Sequence, residues 1–172
     1  MKQIDVTRTY LEMTHPDQLR RAPVVPPARV ERVERCPLSF YRYLYREVGR
    51  SYRWTDRLIW SDERLRSHLA TPGVSVWVMY VDGSPAGYFE LHARDDGSTE
   101  IAYFGLLPDF VGQGLGKQLL SAAVERAWET GATRVWLHTC TLDNPAALPN
   151  YLSRGFTPFK EEHYSVPVLD EG

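Results

Sequence analysis

The sequence contains little cysteine and no long apolar run. Its two cysteines, Cys36 and Cys140, are too few for a disulfide framework and lack the spacing of a metal site. No window approaches the roughly 18 uninterrupted apolar residues that span a bilayer, and residues 1–5 lack the apolar stretch of a signal peptide. We therefore expect a cytoplasmic protein without a membrane span or a signal peptide.

The sequence also lacks a strong excess of charge of one sign. Its formal net charge is -2, which argues against a protein that binds duplex nucleic acid by neutralising phosphates. The charges are unevenly divided, because residues 1–70 contain 14 Lys and Arg against 9 Asp and Glu, whereas residues 71–172 contain 6 against 13. Two interpretations remain open: an arginine-rich solvated face, or cations presented to an anionic ligand.

Length and composition are typical of one globular domain. The chain has 172 residues, of which 43% are hydrophobic and 24% charged, so we treat residues 1–172 as a single domain with its own core. A first strand is predicted from Gln3 to Met13. The segment Ala22–Pro27 should run extended as a connection, because each proline fixes its own φ and restrains the preceding residue.

Periodicity predicts the remaining elements. Apolar side chains recur every four residues over 37–48, which predicts a helix with Gly49 at its C-cap, and a shorter helix is predicted for 61–70. The pattern then changes to that of strands, and a glycine-rich loop leads into an amphipathic helix closed by Gly131. We expect strands at 74–81, 87–92, 100–107 and 134–139, a helix at 144–154, and one or two strands within 157–169. The strand, helix and strand around the loop make a right-handed βαβ unit.

The glycine-rich loop Val111–Gly116 is the most informative segment. A helix N-terminus has amides without intrahelical partners and partial positive charge, and glycines let a ligand approach the backbone, so the loop is a candidate anion site. A P-loop would need glycine at Val111 and serine or threonine at Gln118, and a Rossmann fingerprint would need glycine at Lys117. Both motifs fail. The alternative is a tight turn that needs glycine only for close packing.

The same loop resembles the pyrophosphate-binding motif of the GNAT (Gcn5-related N-acetyltransferase) superfamily, [Arg/Gln]-x-x-Gly-x-[Gly/Ala]. Gly114 and Gly116 match it, and Val111 replaces the polar first residue. A second superfamily pattern, N-x-x-A-x-x-x-Y-x-x-x-G-F, is complete in this chain. It is filled by Asn144, Ala147, Tyr151, Gly155 and Phe156.

The resemblance implies an α/β GNAT fold. Its mixed central sheet has about seven strands, a V-shaped splay between the fourth and fifth strands, and about four flanking helices. Acetyl-CoA is then the co-substrate and lies in the splay, with its pantetheine arm along the strand before the loop. The residues that would line or hold it are Phe104, Gly105, Leu106, Leu107, Val111, Gly112, Gln113, Gly114, Leu115, Gly116, Lys117 and Asn144. Asn144 could equally serve as the N-cap of the last helix.

The implied chemistry is transfer of an acetyl group from the thioester to an amine by direct attack. The amine must lose a proton, and Glu100, expected on one strand face with Ala102 and Phe104, is the first candidate base; a solvated strand-end carboxylate is the alternative. His138 is another candidate, against a buried, hydrogen-bonded histidine. Glu90 and His92 could relay the proton. Tyr151 matches the tyrosine that protonates the leaving thiolate.

The amine acceptor remains unidentified. Segment 49–54, with Asp56 close behind it, supplies arginines and aromatic residues to the expected acceptor cleft. Segment 161–164 supplies two glutamates, so the arginines and the glutamates favour acceptors of opposite charge. A non-catalytic acyl-CoA-binding or protein-interaction module is the alternative function, and a nucleic-acid-binding protein is a weaker one. Acyl chain length and assembly as a homodimer are left open.

Overall fold

The structure is a computed structural model that describes residues 2–25 and 27–168. The strands are β1 (Gln3–Met13), β2 (Arg29–Arg32), β3 (Val74–Val81), β4 (Ser84–Ala93), β5 (Ser98–Leu106), β6 (Arg134–Cys140) and β7 (Thr157–Pro167). The helices are α1 (Leu38–Gly49), α2 (Asp62–Leu69), α3 (Leu115–Glu129) and α4 (Ala147–Arg154). No helix among these residues is long and apolar enough to cross a membrane.

The seven strands form one mixed sheet in the order β2-β3-β4-β5-β6-β1-β7. Neighbours are antiparallel except β5 and β6, which are parallel and pair only from Ser98 to Glu100. Since β5 continues to Leu106, the two strands diverge beyond Glu100 and the sheet opens as a V. This confirms the predicted fold class. The predicted fourth and fifth strands, between which the splay was expected, are β5 and β6, because the prediction did not include β2.

The segment before α1 is more ordered than predicted. Residues 29–32 form β2 and pair antiparallel with β3 at the edge of the sheet. The Ala22 amide donates to Ser121 Oγ at 2.9 Å, and the Val25 amide donates to Gln118 Oε1 at 2.9 Å, so the extended segment is attached to α3. Three of the four β2 residues are exposed, and the strand therefore has no apolar alternation that could have predicted it.

The helices cover both faces of the sheet. Tyr88 and Phe89 are adjacent on β4 and fully buried, yet they belong to different hydrophobic cores, because successive strand residues point to opposite faces. Tyr88 lies in the core with α1 and α2, whereas Phe89 lies in the core with α3 and α4. On α1, Tyr41 and Tyr45 are also buried in the first of these cores.

Gly49 is not a left-handed C-cap, because it has a φ of -84° and ends α1 in a right-handed conformation. A Cβ on Gly49 would lie 2.4 Å from the Cβ of Trp54. The glycine is therefore required for close packing of the loop after α1 rather than for a positive φ.

Helix α4 begins at Ala147 rather than at Asn144. The Asn144 side-chain oxygen accepts a hydrogen bond from the Ala146 amide at 2.9 Å, and its carbonyl accepts one from the Ala147 amide at 2.8 Å, which closes a turn ahead of the helix. Pro149 is thus the third helical residue, where its missing N–H removes no helical hydrogen bond. The predicted N-cap role of Asn144 at α4 is wrong for this reason.

Candidate active site

A groove of about 1150 Å³ opens where β5 and β6 separate. Ala102 is an extra residue on β5, because Glu90 pairs with Tyr103 whereas Leu91 pairs with Ile101. Such a bulge bends a strand, and it directly follows the last residues that pair with β6. Beyond it, within the described residues, β5 has no strand partner on its β6 side. The groove is therefore bordered by a free strand edge.

The bend Val111–Gly116 lies at the groove and needs its glycines for their conformation. Gly112 and Gly114 have φ values of +84° and +77°, which favour glycine. A Cβ on either residue would meet no atom within 4 Å. Close packing therefore does not explain these two glycines, and the space in front of them is open.

The start of α3 offers unused hydrogen-bond donors to the groove. Gly114 is its N-cap, and no side chain of residues 2–25 or 27–168 caps the helix. The first amides of a helix have no intrahelical partner and carry the positive end of the dipole. Gly116 and the exposed Lys117 also line the groove. The arrangement suits a phosphate or another anion.

Most, but not all, of the predicted cofactor-binding residues face the groove. The residues that line it are Phe104, Gly105, Leu106, Val111, Gly112, Gly114, Gly116, Lys117 and Asn144. Leu107 and Leu115 are buried in the two cores, and the Leu107 amide donates to the Ala86 carbonyl at 2.8 Å. Gln113 donates its side-chain amide to the Asp109 carbonyl at 3.2 Å. The side chains of Leu107, Gln113 and Leu115 therefore do not line the groove.

Gly105 lines the groove, yet its lack of a side chain has a structural cause. A Cβ there would lie 2.5 Å from Val48 Cγ1 and would also contact Trp54. The glycine thus lets α1 approach β5 closely. This packing accounts for the glycine without a bound ligand.

Glu100 lies at the apex of the V, where β5 last pairs with β6. It is buried, accepts a hydrogen bond from the Arg94 guanidinium, and has His92 Nδ1 at 3.9 Å. It is therefore a buried, ion-paired group and not a solvated strand end. Together with His92 and Arg94 it lines the groove.

The bulge changes which residues share a face with Glu100. On β4, His92 and Glu90 are two residues apart and point to the same face; their partners on β5 are Glu100 and Tyr103. Glu100 therefore shares its face with Tyr103 rather than with Phe104, as had been expected from strict alternation. Phe104 instead faces Tyr151 on the other side of the sheet.

His138 lies on β6 on the opposite wall of the groove, to which it is exposed. Desolvation by the protein atoms around the ring, and then the positive charge of Arg8, lower the pKa of His138 below its ordinary value. The imidazole is consequently neutral at pH 7. Its ring lies 5.4 Å from the ring of Tyr10, and within the described residues it makes no hydrogen bond, unlike the buried, hydrogen-bonded histidine considered as the alternative.

Tyr151 projects from α4 into the same groove and is 6% exposed. Its ring makes edge-to-face contacts with Phe104 and Phe156, with ring centroids 6.1 Å apart in each pair. Burial, and then the negative charge of Asp143, raise the pKa of Tyr151 well above its ordinary value. The phenol therefore stays protonated at neutral pH.

Asn144 connects two loops at the groove. Its Nδ2 donates to the Tyr52 hydroxyl at 3.1 Å, and both residues line the groove. Tyr52 follows α1, whereas Asn144 precedes α4. The hydrogen bond thus joins the loop expected over the acceptor cleft to the β6 side.

Sequence reasoning missed the extent of a buried polar cluster around Glu90, which we call the Glu90 cluster: Tyr41, Arg57, His68, Glu90 and His92. Glu90 Oε1 accepts hydrogen bonds from the Tyr41 hydroxyl at 2.6 Å and from Arg57 at 2.7 Å. Glu90 Oε2 faces the Nε2 atoms of His68, at 3.0 Å, and His92. These residues come from α1, α2, β4 and the loop between the helices, so no local sequence pattern unites them.

The charges of this cluster are tightly fixed. Burial alone would raise the pKa of Glu90, but the hydrogen bonds from His68 and His92 and the charge of Arg57 outweigh it and hold the pKa well below its usual range. The Arg57 guanidinium stacks 4.4 Å from the Tyr103 ring centroid. Glu90 is therefore an ionised carboxylate without solvent exposure.

The arginines at the acceptor side are largely paired with protein groups. Arg94 bonds Glu100, Arg57 bonds Glu90, and Arg8 lies 3.5 Å from Glu162. Arg53 donates to the Pro167 carbonyl at 3.2 Å. The uneven charge of the sequence is thus partly neutralised in the fold, which weakens the interpretation of free cations awaiting an anionic acceptor.

Comparison with known proteins identifies the family of this chain. The sequence model of the Acetyltransferase (GNAT) family matches residues 41–156. An uncharacterized N-acetyltransferase of Lactobacillus delbrueckii subsp. lactis is 34% identical over 108 residues, which cover 59% of this chain and 62% of the relative. The match thus spans about three fifths of that relative's length.

Solved structures resemble the fold over most of the chain. A GCN5-related N-acetyltransferase from Kribbella flavida has a TM-score of 0.69 at 23% identity and covers 98% of this chain and 62% of its own. An aminoglycoside acetyltransferase from an uncultured soil metagenomic sample has a TM-score of 0.61 at 21% identity and covers 74% of this chain and 86% of its own. On the family match and the opened sheet, the chain belongs to the GNAT acetyltransferase family.

Proposed function

We propose that the protein is an acetyl-CoA-dependent N-acyltransferase that moves an acetyl group from the CoA thioester to an amine in a ternary complex. One observation carries the proposal: the free edge of β5 and the uncapped start of α3 border the same groove. A ligand with both amide groups and a diphosphate matches that combination, and CoA has both.

The residues present fit such a ligand. The open space before Gly112 and Gly114, the free amides at the start of α3 and the cation of Lys117 suit the pyrophosphate. Leu106 and the β5 edge suit the pantetheine arm, and Asn144 stands across the groove from them. The apolar Val111 is exposed at 42%, so backbone rather than its side chain would hold the phosphate.

The reaction removes two protons from an ammonium acceptor, one before and one after its nitrogen attacks, and delivers one to the leaving thiolate, so that one proton is released in all. An ammonium must lose a proton before its nitrogen attacks the thioester carbonyl. His138 is the better placed base, because it is neutral, exposed to the groove and free of hydrogen bonds within the described residues, whereas Glu100 is held by Arg94. Glu100, buried near His138, would stabilise the imidazolium that forms.

The leaving thiolate takes the second proton when the tetrahedral intermediate collapses. Tyr151 lines the groove as a protonated phenol, and its hydroxyl makes no hydrogen bond within residues 2–25 and 27–168. Its proton is therefore available to the sulfur. No cysteine nucleophile is needed, and desolvation, followed by the charge of Asp143, raises the pKa of Cys140, which makes its thiol a poor one. We place the reaction in the cytoplasm, where thiols stay reduced.

Calorimetric titration with CoA and acetyl-CoA tests the binding half of the proposal. Gly114→Ala places a methyl group before the amides of α3 and should weaken CoA binding by about tenfold or more. Gly131→Ala is the matched control, because Gly131 follows the same helix with a φ of +89° and equally open space. Absence of binding heat for the unmodified protein, or equal losses in both variants, would contradict the proposed site.

Mass spectrometry after incubation with acetyl-CoA and an amine panel tests the catalytic half. The panel includes an aminoglycoside, because one structurally similar protein is named as acting on that class, together with amino acids, polyamines and peptides. An acetylated amine is expected. Binding of CoA without any acetylated product would favour the non-catalytic module.

A further inference from the structure

The Glu90 cluster contains ligands of the types that zinc prefers. His68 Nε2, His92 Nε2 and a carboxylate oxygen of Glu90 lie within 4.8 Å of one another. Glu90 is fully buried, and both imidazoles are largely buried. Two imidazole nitrogens and one carboxylate oxygen form a common three-ligand set for zinc, with a fourth position left for water.

The two oxygens of Glu90 are used differently. Oε2 faces both imidazoles, whereas Oε1 accepts hydrogen bonds from Tyr41 and Arg57. A carboxylate that binds a metal through one oxygen is commonly held by hydrogen bonds to the other. The Tyr41 and Arg57 contacts therefore hold Oε2 against the Nε2 atoms of both histidines.

One of the two imidazoles, that of His92, also has a suitable outer partner. A histidine that binds a metal through Nε2 carries its proton on Nδ1, and that N–H usually points to a carboxylate or a carbonyl. His92 Nδ1 lies 3.9 Å from Glu100 Oε1, on the side away from Glu90. Rotation of His92 toward a metal would leave its Nδ1 proton facing an acidic partner.

We propose that His68, Glu90 and His92 bind one zinc ion that joins α2 to the central sheet. This site goes beyond the acetyltransferase function and does not depend on it. The ion would bind the two neutral imidazoles through Nε2 and the carboxylate through Oε2, so each imidazole proton moves to Nδ1 and no proton is lost from the ligand set. Without the ion, the two Nε2 protons occupy the same position and are donated to Glu90.

The role of such an ion follows from the elements that it connects. His68 lies near the end of α2, a helix of eight residues with a single buried residue, Leu65. Glu90 and His92 lie on β4 next to the groove. Zinc at this point would hold α2, and the loop that carries Arg57, against the acceptor side of the sheet.

Cobalt and zinc titrations of chelator-treated full-length protein test the site. We expect one Co²⁺ per chain with the visible absorption of a four- or five-coordinate ion, displaced by one Zn²⁺. At a zinc concentration about 100 times the Kd, the Tm should rise by about 5–10 °C. His68→Gln keeps an N–H that can donate to Glu90 but removes the imidazole, and it should weaken metal binding by at least about 100-fold.

His163→Gln is the control, because His163 is an exposed histidine with a carboxylate, Glu161, at 3.8 Å. It should leave cobalt absorption and zinc affinity unchanged. Zinc X-ray absorption of the unmodified protein should report two imidazoles and one carboxylate, and this measurement does not require any variant to fold. No stoichiometric metal binding, equal binding by His68→Gln, or an absorption spectrum without two imidazoles would each overturn the zinc site. Titration of the chelator-treated protein with CoA distinguishes failure of the zinc site from failure of the proposed acetyltransferase function, because CoA binding does not require zinc.

Discussion

Gly155 of the Gly-Phe pair after α4 provides a sharp test of the fold. Its φ is +111°, and an added Cβ would lie 1.9 Å from the carbonyl oxygen of Gln18. That oxygen belongs to the backbone, and the adjoining chain is fixed by the hydrogen bond from the Arg20 amide to the Arg154 carbonyl at 2.8 Å. Gly155→Ala must therefore move two backbone segments apart.

The expected loss of stability in Gly155→Ala is the sum of two separate costs. A left-handed backbone costs a residue with a side chain about 1–2 kcal/mol, and overpacking of a closed site costs about 1–3 kcal/mol. We expect Gly155→Ala to lower the free energy of unfolding by about 2–5 kcal/mol. Gly131→Ala has a φ of +89° but no atom within 4 Å of the added Cβ, so it should lower the free energy of unfolding by only about 1–2 kcal/mol.

Urea unfolding followed by circular dichroism measures both variants against the unmodified protein. We expect Gly155→Ala to be less stable than Gly131→Ala by at least about 1 kcal/mol, with similar m-values. Equal losses would mean that the Gln18 segment moves away freely. In that case the packing of residues 18–25 against the helices would be weaker than the structure indicates.

Three further predictions concern individual side chains. Tyr151→Phe should lower turnover of any acceptor found in the panel by about 100-fold or more while leaving CoA affinity nearly unchanged; a loss of affinity would make Tyr151 structural. An NMR titration should place the His138 midpoint below 6.5, and Arg8→Gln should raise that midpoint, because Arg8 is the second cause of the lowered pKa. Because the pKa of His138 is lower in the folded chain than in the unfolded chain, its contribution to the free energy of unfolding is fully present above about pH 6.5. That contribution is lost as the pH falls toward the folded pKa, and an unshifted midpoint would contradict this. Burial, followed by the charge of Glu90, raises the pKa of Cys36 to about 11 from 9.0, so peptide-resolved alkylation at pH 8 should be about 100-fold slower in the folded chain than in urea, and equal rates would refute it.

The elements of the fold that local sequence patterns specify were predicted correctly. The first strand, α2 with its Ser61 cap, and the βαβ unit around the glycine bend follow from period, capping and turn residues. β2 was missed because three of its four residues are exposed. The start of α4 was placed three residues early, because Asn144 closes a turn that resembles a cap in sequence.

The site was predictable only in part. The glycine bend is contiguous in sequence, so its position could be predicted, and the space in front of Gly112 and Gly114 is open. The bulge at Ala102 could not be predicted from alternation, because an extra strand residue is fixed by pairing with β4, and it moved Tyr103 to the face of Glu100. Arg57 and His68 were missed for a related reason: only tertiary packing brings them within reach of Glu90.

The pairing of β1 with β7 also governs when the groove can exist during synthesis. β1 lies between β6 and β7, and Asp5 bonds Ser165 although 160 positions separate them. The wall that carries His138 is therefore braced by one segment made before the glycine bend and one made after it. A ribosome-bound chain that has released the glycine bend already contains one side of the groove, but the opposite wall is completed only when residues 157–167 emerge. Ligand capture should thus be a late event of folding, delayed by the slow closure of a long loop.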